Sequence, residues 1–201
     1  MEPINSFDSL VQLIKERQKP GTKTTEIDDK IIKTFSDTRT ILFVDLQGFT
    51  DNILNYGIIN ALTLIIKSRE MFTKIIKAQF GIIVKTEGDS VLALFQKPNN
   101  AAKAAIEIVK ESNNHNIKYD SKGLLITPCI GIAHGEVMVV GDDVFGLPVN
   151  IASKLGENYA KGFEILATEA AKELITIDHS FETVELTLSS AMYAYKMQMN
   201  Y

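Results

Sequence analysis

Two aspartates in this sequence follow short apolar runs and have the setting of metal ligands. Asp45 comes directly after the apolar run 41–44, and Asp89 follows a Glu-Gly turn inside the β-rich segment 82–95. An aspartate beside a turn is ordinarily only a turn residue. Two carboxylates at strand ends, however, can share hard cations such as Mg²⁺, which take oxygen ligands and leave room for substrate phosphates. The repeated layout favours a shared metal site over two unrelated turns.

The composition limits the class of protein. A chain of 201 residues suits one domain with an appendage. The net charge of −4 and the pI near 5.4 argue against binding of nucleic acid through a basic surface. Cys129 is the only cysteine, which excludes an intrachain disulfide, and its apolar surroundings favour a packed thiol. The sequence shows neither a signal peptide nor a membrane-spanning stretch, so we expect a soluble, cytoplasmic protein.

Apolar spacing and turn signals predict a mixed α+β chain. The predicted order is strand, helix, hairpin, helix, hairpin, helix, strand, helix and hairpin, with hairpins at 82–95, 124–140 and 181–197. The first part is β-α-β-β-α-β, the ferredoxin-like arrangement, and extra strands follow at the C-terminal end. We therefore expect a mostly antiparallel sheet with helices on one face. The second hairpin is expected to turn at 135–136.

Residues 1–38 are predicted to form an N-terminal helical appendage, and residues 39–201 the main domain. Ser6 is placed to cap a first helix, whose apolar face is predicted to consist of Phe7, Leu10, Val11 and Ile14. Docking of this face on its own domain is favoured over contact with a partner. The polar run around His115 predicts a loop that leaves this histidine exposed.

Four ordered segments resemble the catalytic domain of class III nucleotide cyclases, the adenylate and guanylate cyclase family. They are FVDLQGFT at 43–50, VKTEGDSVLALF at 84–95, GIAHG at 131–135 and DVFGLPVNIASKL at 143–155. The similarity runs from about residue 39 to residue 197, nearly the whole chain. It implies the class III cyclase fold and a bacterial-type single catalytic domain.

The resemblance gives both aspartates a role. Asp45 and Asp89, with the backbone carbonyl of Leu46, correspond to the ligands of two Mg²⁺ or Mn²⁺ ions. In the family, one cation helps to activate the ribose 3′-hydroxyl and the other holds the triphosphate.

The resemblance also assigns residues to the substrate. Gly48, Phe49 and Thr50 open a helix, and its free N–H groups would cradle phosphate oxygens. Lys85 and Asp143 match the adenine-reading pair, in which the lysine donates to N1 and the aspartate accepts from the exocyclic amine. Guanine reverses this pattern of donor and acceptor, so the resemblance implies ATP.

Two departures from the family pattern concern cations. Asn150 matches the residue that orients the ribose, and Lys154, one helical turn on, stands where the family usually has an arginine that stabilises charge at the α-phosphate. Lysine keeps that charge but lacks the planar fork of arginine. The segment LTLSS at 186–190 lacks the lysine that often holds the terminal phosphates, and Lys196 lies six residues beyond it. Either the metals and the backbone suffice to hold the triphosphate, or the protein is a slow or regulated cyclase.

The family divides each site between two subunits, so a chain with both residue sets implies a head-to-tail homodimer with two shared sites. Two other interpretations stay open. A non-catalytic cyclase-like module for nucleotide binding or dimerisation fits the two departures, but it has no need of both Asp45 and Asp89. A diguanylate cyclase is disfavoured, because the turn reads EGDS rather than the GG(D/E)EF signature of that class.

Overall fold

The computed structural model describes residues 5–119, 124–186 and 192–198. The helices of this part are α1 (Phe7–Arg17), α2 (Thr24–Phe35), α3 (Phe49–Tyr56), α4 (Ile58–Ala78), α5 (Pro98–Tyr119), α6 (Leu147–Lys154) and α7 (Glu169–Leu174), with a π-helical turn at Leu155–Tyr159. The strands are β1 (Ser36–Leu46), β2 (Ile82–Glu87), β3 (Ser90–Phe95), β4 (Pro128–Val140), β5 (Asp143–Phe145), β6 (Ile165–Ala167), β7 (Phe181–Leu186) and β8 (Met192–Met197). No helix in this part is long and apolar enough to cross a membrane.

One sheet holds all the described strands. Its order is β2-β3-β1-β4-β6-β8-β7, and β5 pairs with the end of β4. The strands β1 to β4 with α3, α4 and α5 form the βαββαβ unit, in which every neighbouring pair is antiparallel. The pairing of β4 with β6 is parallel. The predicted ferredoxin-like core with extra C-terminal strands is confirmed.

The central strand β1 is buried on both faces. Leu42 and Val44 pack with α4 and α5, whereas Ile41 and Phe43 pack on the opposite face with Ala152 of α6. A strand covered on both faces reads as a continuous apolar run rather than as an alternation. This explains the run that precedes Asp45.

The expectation that all helices cover one face is wrong. The helix α6 lies on the face opposite α4 and α5, where it packs on β4. A side chain at Gly131 of β4 would collide with the backbone oxygen of Ala152, so the glycine permits this close approach. The short helix brings the segment 147–154 over the sheet.

The predicted hairpin at 135–136 is also wrong. The strand β4 runs unbroken through Gly135. It pairs with the whole length of β1, from Ser36 opposite Met138 to Leu46 opposite Pro128. The turn comes later, at Gly141, whose φ of 61° lies in the left-handed region. The short strand β5 then begins with Asp143.

The N-terminal helices α1 and α2 dock on the main sheet. The hydroxyl of Ser6 accepts a hydrogen bond from the N–H of Ser9 and caps α1, as predicted. Leu13 and Phe35 are buried against Val140 of β4. Of the predicted apolar face of α1, Leu10 packs against this cluster as expected. Phe7 and Ile14 are 57% and 39% exposed, so that part of the prediction is wrong.

The polar segment at 113–116 is helical, not a loop. It forms the last turns of α5, and His115 bonds through Nε2 to the carbonyl oxygen of Leu124 at 3.0 Å. The side chain of Asn116 bonds both backbone groups of Ile126. These polar side chains hold the segment that leads into β4. At the other end of the chain, the segment 187–191 lies outside the described residues.

Candidate active site

The two aspartates lie together at one end of the central strands. Val44 of β1 pairs with Val91 of β3 in antiparallel register. Asp45 comes directly after Val44, and Asp89 lies in the turn just before β3, so both are at the same end of this strand pair. Burial, followed by the negative charge of Asp89, raises the pKa of Asp45 to about 6, although the N–H of Leu46 opposes the rise. Burial also raises the pKa of Asp89. Two half-buried carboxylates therefore lie close enough at this end of the sheet for the charge of Asp89 to act on Asp45.

This donor set fits a hard divalent cation. The ligands are oxygen atoms only, and a cation between the carboxylates would relieve their repulsion. No cluster of three or more acidic, histidine or cysteine side chains suited to a metal occurs among the described residues. The carbonyl of Leu46, water and substrate oxygens would have to supply the other positions of such a cation.

Lys85 and Asp143 meet across two elements. Lys85 is on β2 and Asp143 starts β5, and their Nζ and Oδ1 atoms are 3.0 Å apart. Burial acts to raise the pKa of Asp143, but hydrogen bonds from Lys85 and from the N–H of Val144 outweigh it and lower that pKa. The carboxylate is therefore charged at neutral pH and ready to accept hydrogen bonds.

A cleft of about 420 Å³ opens beside this pair on the face that carries α6. Lys85 and Asn150 line it, and so do Ser153 and Glu157. Its other lining residues are Phe43, Glu87, Ser90, Leu92, Val144, Phe145, Gly146 and Val149. Asp143 lines the neighbouring, more apolar cavity of about 720 Å³, so the Lys85–Asp143 pair joins the two.

Lys154 is exposed and is not among the residues that line the cleft. Its helical neighbour Asn150 is one of them, so the structure brings Asn150 to Lys85 but leaves Lys154 facing solvent. Lys196, the other candidate cation, is bound to Glu164 at 2.8 Å. Neither lysine contacts the cleft in this single chain.

Glu157 is a site residue that sequence reasoning missed. It lies in the π-helical turn, where the N–H of Ala160 donates to the carbonyl oxygen of Leu155 at 2.7 Å. The wider turn places Glu157 on the cleft, close enough for its charge to act on Asp45. No local pattern in the sequence predicts this π-helical turn.

The loop after Asp45 is tied to the rest of the fold. Gln47 donates from its N–H to the carbonyl oxygen of Thr127 at 2.9 Å, and its side-chain oxygen accepts from the N–H of Gly162 at 2.6 Å. Gly48 then adopts a left-handed φ of 79° and precedes α3, with no side-chain cap on the first N–H groups. Phe49 and Thr50 begin that helix.

Two further polar groups take no part in the cleft. Cys129 is buried, and burial raises the pKa of its thiol to about 11, as expected for a packed side chain. His134 bonds through Nδ1 to the hydroxyl of Thr40 at 2.9 Å.

A family model described as the adenylate and guanylate cyclase catalytic domain matches residues 32–198. The chain belongs to this family. It is a nucleotide cyclase catalytic domain, and the predicted resemblance is confirmed.

Curated relatives of this cyclase domain come from actinobacteria. An uncharacterised protein of Mycobacterium tuberculosis is 28% identical over 146 residues, which cover 70% of this chain and 35% of the relative. An adenylate cyclase of Streptomyces coelicolor is 30% identical over 133 residues, or 66% of this chain and 33% of the relative. The chain spans about a third of the length of these relatives.

Solved cyclase structures share the fold. The adenylyl cyclase CyaB from P. aeruginosa superposes with a TM-score of 0.71 at 21% identity, covering 83% of this chain and 96% of that one. The guanylyl cyclase Cya2 has a TM-score of 0.70 at 21% identity, covering 81% and 92%. Because adenylyl and guanylyl cyclases both match, the fold does not distinguish the bases.

Proposed function

We propose that this domain is an adenylate cyclase that converts ATP to 3′,5′-cyclic AMP and pyrophosphate at an interface between two copies of the chain. The observation that carries the proposal is the bond between Lys85 and Asp143 beside the cleft. Lysine offers only donors and a charged aspartate only acceptors. Adenine presents the complement, an acceptor at N1 and a donor on the adjacent amino group.

Opening of this pair by adenine leaves no charge without a partner. The ammonium of Lys85 would give up its bond to Asp143 and donate to N1 of adenine instead. The carboxylate of Asp143 would accept from the amino group of adenine instead of from Lys85. Guanine presents a donor at N1 and an acceptor at O6, so each residue would face a group of its own kind. A mismatch of this type leaves both polar groups unpaired once the nucleotide covers them, which costs affinity.

Other residues of the site are assigned to the ribose and the phosphates of the nucleotide. Asn150 projects into the cleft beside Lys85 and would orient the ribose. The N–H groups of Gly48, Phe49 and Thr50 would hold phosphate oxygens at the start of α3. Two Mg²⁺ or Mn²⁺ ions held by Asp45, Asp89 and the carbonyl of Leu46 would supply charge neutralisation and an activated 3′-oxygen.

A second copy of the chain completes the site in this proposal. In one chain the cleft is lined by Lys85 and Asn150, and neither Asp45 nor Asp89 is among its lining residues. Ser90 and Glu157 of the cleft lie near these aspartates, but neither aspartate faces the cleft itself. This arrangement supports a head-to-tail homodimer in which one copy supplies the metal-binding pair and the other reads the base. Lys154, exposed in one chain, would then reach the α-phosphate at the interface.

The test is to incubate purified protein with ATP and Mn²⁺ and, in parallel, with GTP and Mn²⁺, and to separate the products by chromatography. We expect cyclic AMP in excess over cyclic GMP, and loss of product in Asp45→Asn and Asp89→Asn. Cyclic GMP as the main product would overturn the assignment to ATP. Undiminished turnover in both variants would overturn the two-metal site.

A non-catalytic nucleotide-binding module is the second candidate. It is favoured by the exposed Lys154 in place of an arginine and by the engagement of Lys196 with Glu164. Under this alternative, the protein binds a fluorescent ATP analogue but forms no cyclic nucleotide with either metal. Product formation that depends on Asp45 excludes it.

A further inference from the structure

Arg69 of α4 reaches the turn that carries Asp89. Its Nη2 atom donates to the carbonyl oxygen of Gly88 at 2.5 Å. Gly88 has a φ of 53°, and the hydroxyl of Ser90 donates to the carbonyl oxygen of Glu87 at 2.8 Å, which closes the turn. The Gly88 carbonyl immediately precedes Asp89, so the bond from Arg69 acts on the peptide that aims this carboxylate.

The backbone of Arg69 is held in place by its buried neighbours on α4. Ser68 and Phe72, on either side of it on α4, are both fully buried. The Nε atom of Arg69 is buried and has no hydrogen-bond partner among the described residues. A buried donor without a partner is unfavourable. The guanidinium nevertheless lies against the turn, and its positive charge is close enough to act on Asp89.

We propose that Arg69 is a positioning residue for the metal-binding turn: by holding the Gly88 carbonyl it directs Asp89 towards Asp45. The inference rests on the proposed function in one respect, that Asp89 is a metal ligand. It adds a residue on a helix that carries none of the assigned site residues. Arg69 itself touches neither substrate nor metal in this role.

Positioning and charge have opposite effects on metal binding. A positive charge near the carboxylates repels a divalent cation, so removal of the charge alone would tighten binding. Loss of the turn's anchor leaves Asp89 free to rotate away, which weakens binding. The direction of the change therefore identifies which effect dominates, and we expect the loss of positioning to dominate.

The experiment measures Mn²⁺ binding directly, by the electron paramagnetic resonance signal of free Mn²⁺, in wild type, Arg69→Gln, Arg69→Lys and Asp89→Asn. Lys77→Gln is the matched control, because it removes an exposed cation from the last turn of the same helix. We expect Arg69→Gln to weaken Mn²⁺ binding about tenfold. The Mn²⁺ affinity of Arg69→Lys should lie between those of wild type and Arg69→Gln, and the affinity of Lys77→Gln should match that of wild type.

Kinetics give a second readout. The Mn²⁺ concentration for half-maximal activity should rise in both Arg69 variants, with kcat at saturating Mn²⁺ closer to wild type, because added metal compensates for a misdirected ligand. Circular dichroism shows whether each variant is folded. If Arg69→Gln does not fold, the measurements on Arg69→Lys decide the outcome.

Unchanged or tighter Mn²⁺ binding in the folded Arg69 variants overturns the positioning role and leaves the proposed function standing. If Asp89→Asn also leaves Mn²⁺ binding unchanged, Asp89 is not a ligand, and both the two-metal proposal and this inference fail.

Discussion

Lys85 and Asp143 are bonded to each other at 3.0 Å although they lie 58 positions apart in the sequence. The pair is accessible, with 48% and 36% of the two side chains exposed. Exposed ion pairs contribute little to stability, commonly less than about 1 kcal/mol. Its opening by a base is therefore inexpensive, and changes to it should affect recognition more than folding.

Asp143→Asn should reduce the preference for ATP over GTP. The amide presents both a donor and an acceptor, so it tolerates either base, and the ratio of kcat/KM values should fall about tenfold, equivalent to one hydrogen bond. Steady-state kinetics with both nucleotides measure the ratio. Asp142→Asn, on the adjacent exposed turn residue, is the control and should leave it unchanged. An unaltered ratio in Asp143→Asn would remove this residue from base recognition.

Asp45→Asn should stabilise the metal-free protein at neutral pH while it abolishes activity. A pKa raised to about 6 means that the folded state holds its proton more tightly than the unfolded state. The free energy of unfolding of wild type therefore falls as pH rises from about 4 to about 6. The rise of this pKa to about 6 sets a ceiling of about 3 kcal/mol, and screening by solvent at this partly exposed group reduces the expected gain to about 1–2 kcal/mol.

Urea unfolding in the presence of chelator, from pH 4 to pH 8, measures this gain. The difference between Asp45→Asn and wild type should be largest above pH 6 and should vanish towards pH 4. Asp29→Asn, an exposed carboxylate on α2, should show no such difference. Added Mn²⁺ should raise the stability of wild type but not that of Asp45→Asn. A destabilised variant at pH 8 would contradict the raised pKa of Asp45, which burial and then the charge of Asp89 produce.

Mixing Asp45→Asn with Asn150→Ala should restore activity that neither variant has alone. In a shared-site homodimer, random exchange makes half of the dimers mixed, and each mixed dimer has one intact site. The mixture should therefore reach about a quarter of wild-type activity. Subunit exchange is verified first with labelled protein. Full exchange without recovery would mean that both residues serve the same site within one chain.

Lys154→Arg should raise kcat, and Lys154→Ala should lower it. Charge builds on the α-phosphate oxygens as the 3′-oxygen attacks, and a planar guanidinium can contact two such oxygens. The gain should be about two- to fivefold, and the loss in the alanine variant on the order of a hundredfold. Lys33→Arg on α2 is the control for an exposed lysine. Wild-type kinetics in Lys154→Ala would show that this side chain remains in solvent.

The sequence alone determined the features that depend on neighbours along the chain. The glycine turn before Asp89 and the cap at Ser6 each combine residues within a few positions, and each has a local physical cause. The apolar run before Asp45 is equally visible in the sequence, although its cause is the burial of β1 on both faces. The order of strands and helices followed from the same signals. Ordered motifs were enough to assign the family, and with it the candidate roles of Lys85 and Asp143.

The tertiary structure decided what depends on distant partners. Gly135 looked like a turn, but β1 begins early enough to pair with it, and a glycine opposite Arg39 continues the strand. The proton affinity of Asp45 follows from its burial beside Asp89, and neither is visible in the local pattern. Glu157 and Arg69 reach the metal-binding end from helices on opposite faces of the sheet. Their placement is set by packing between elements far apart in the chain, and helical spacing alone does not encode it.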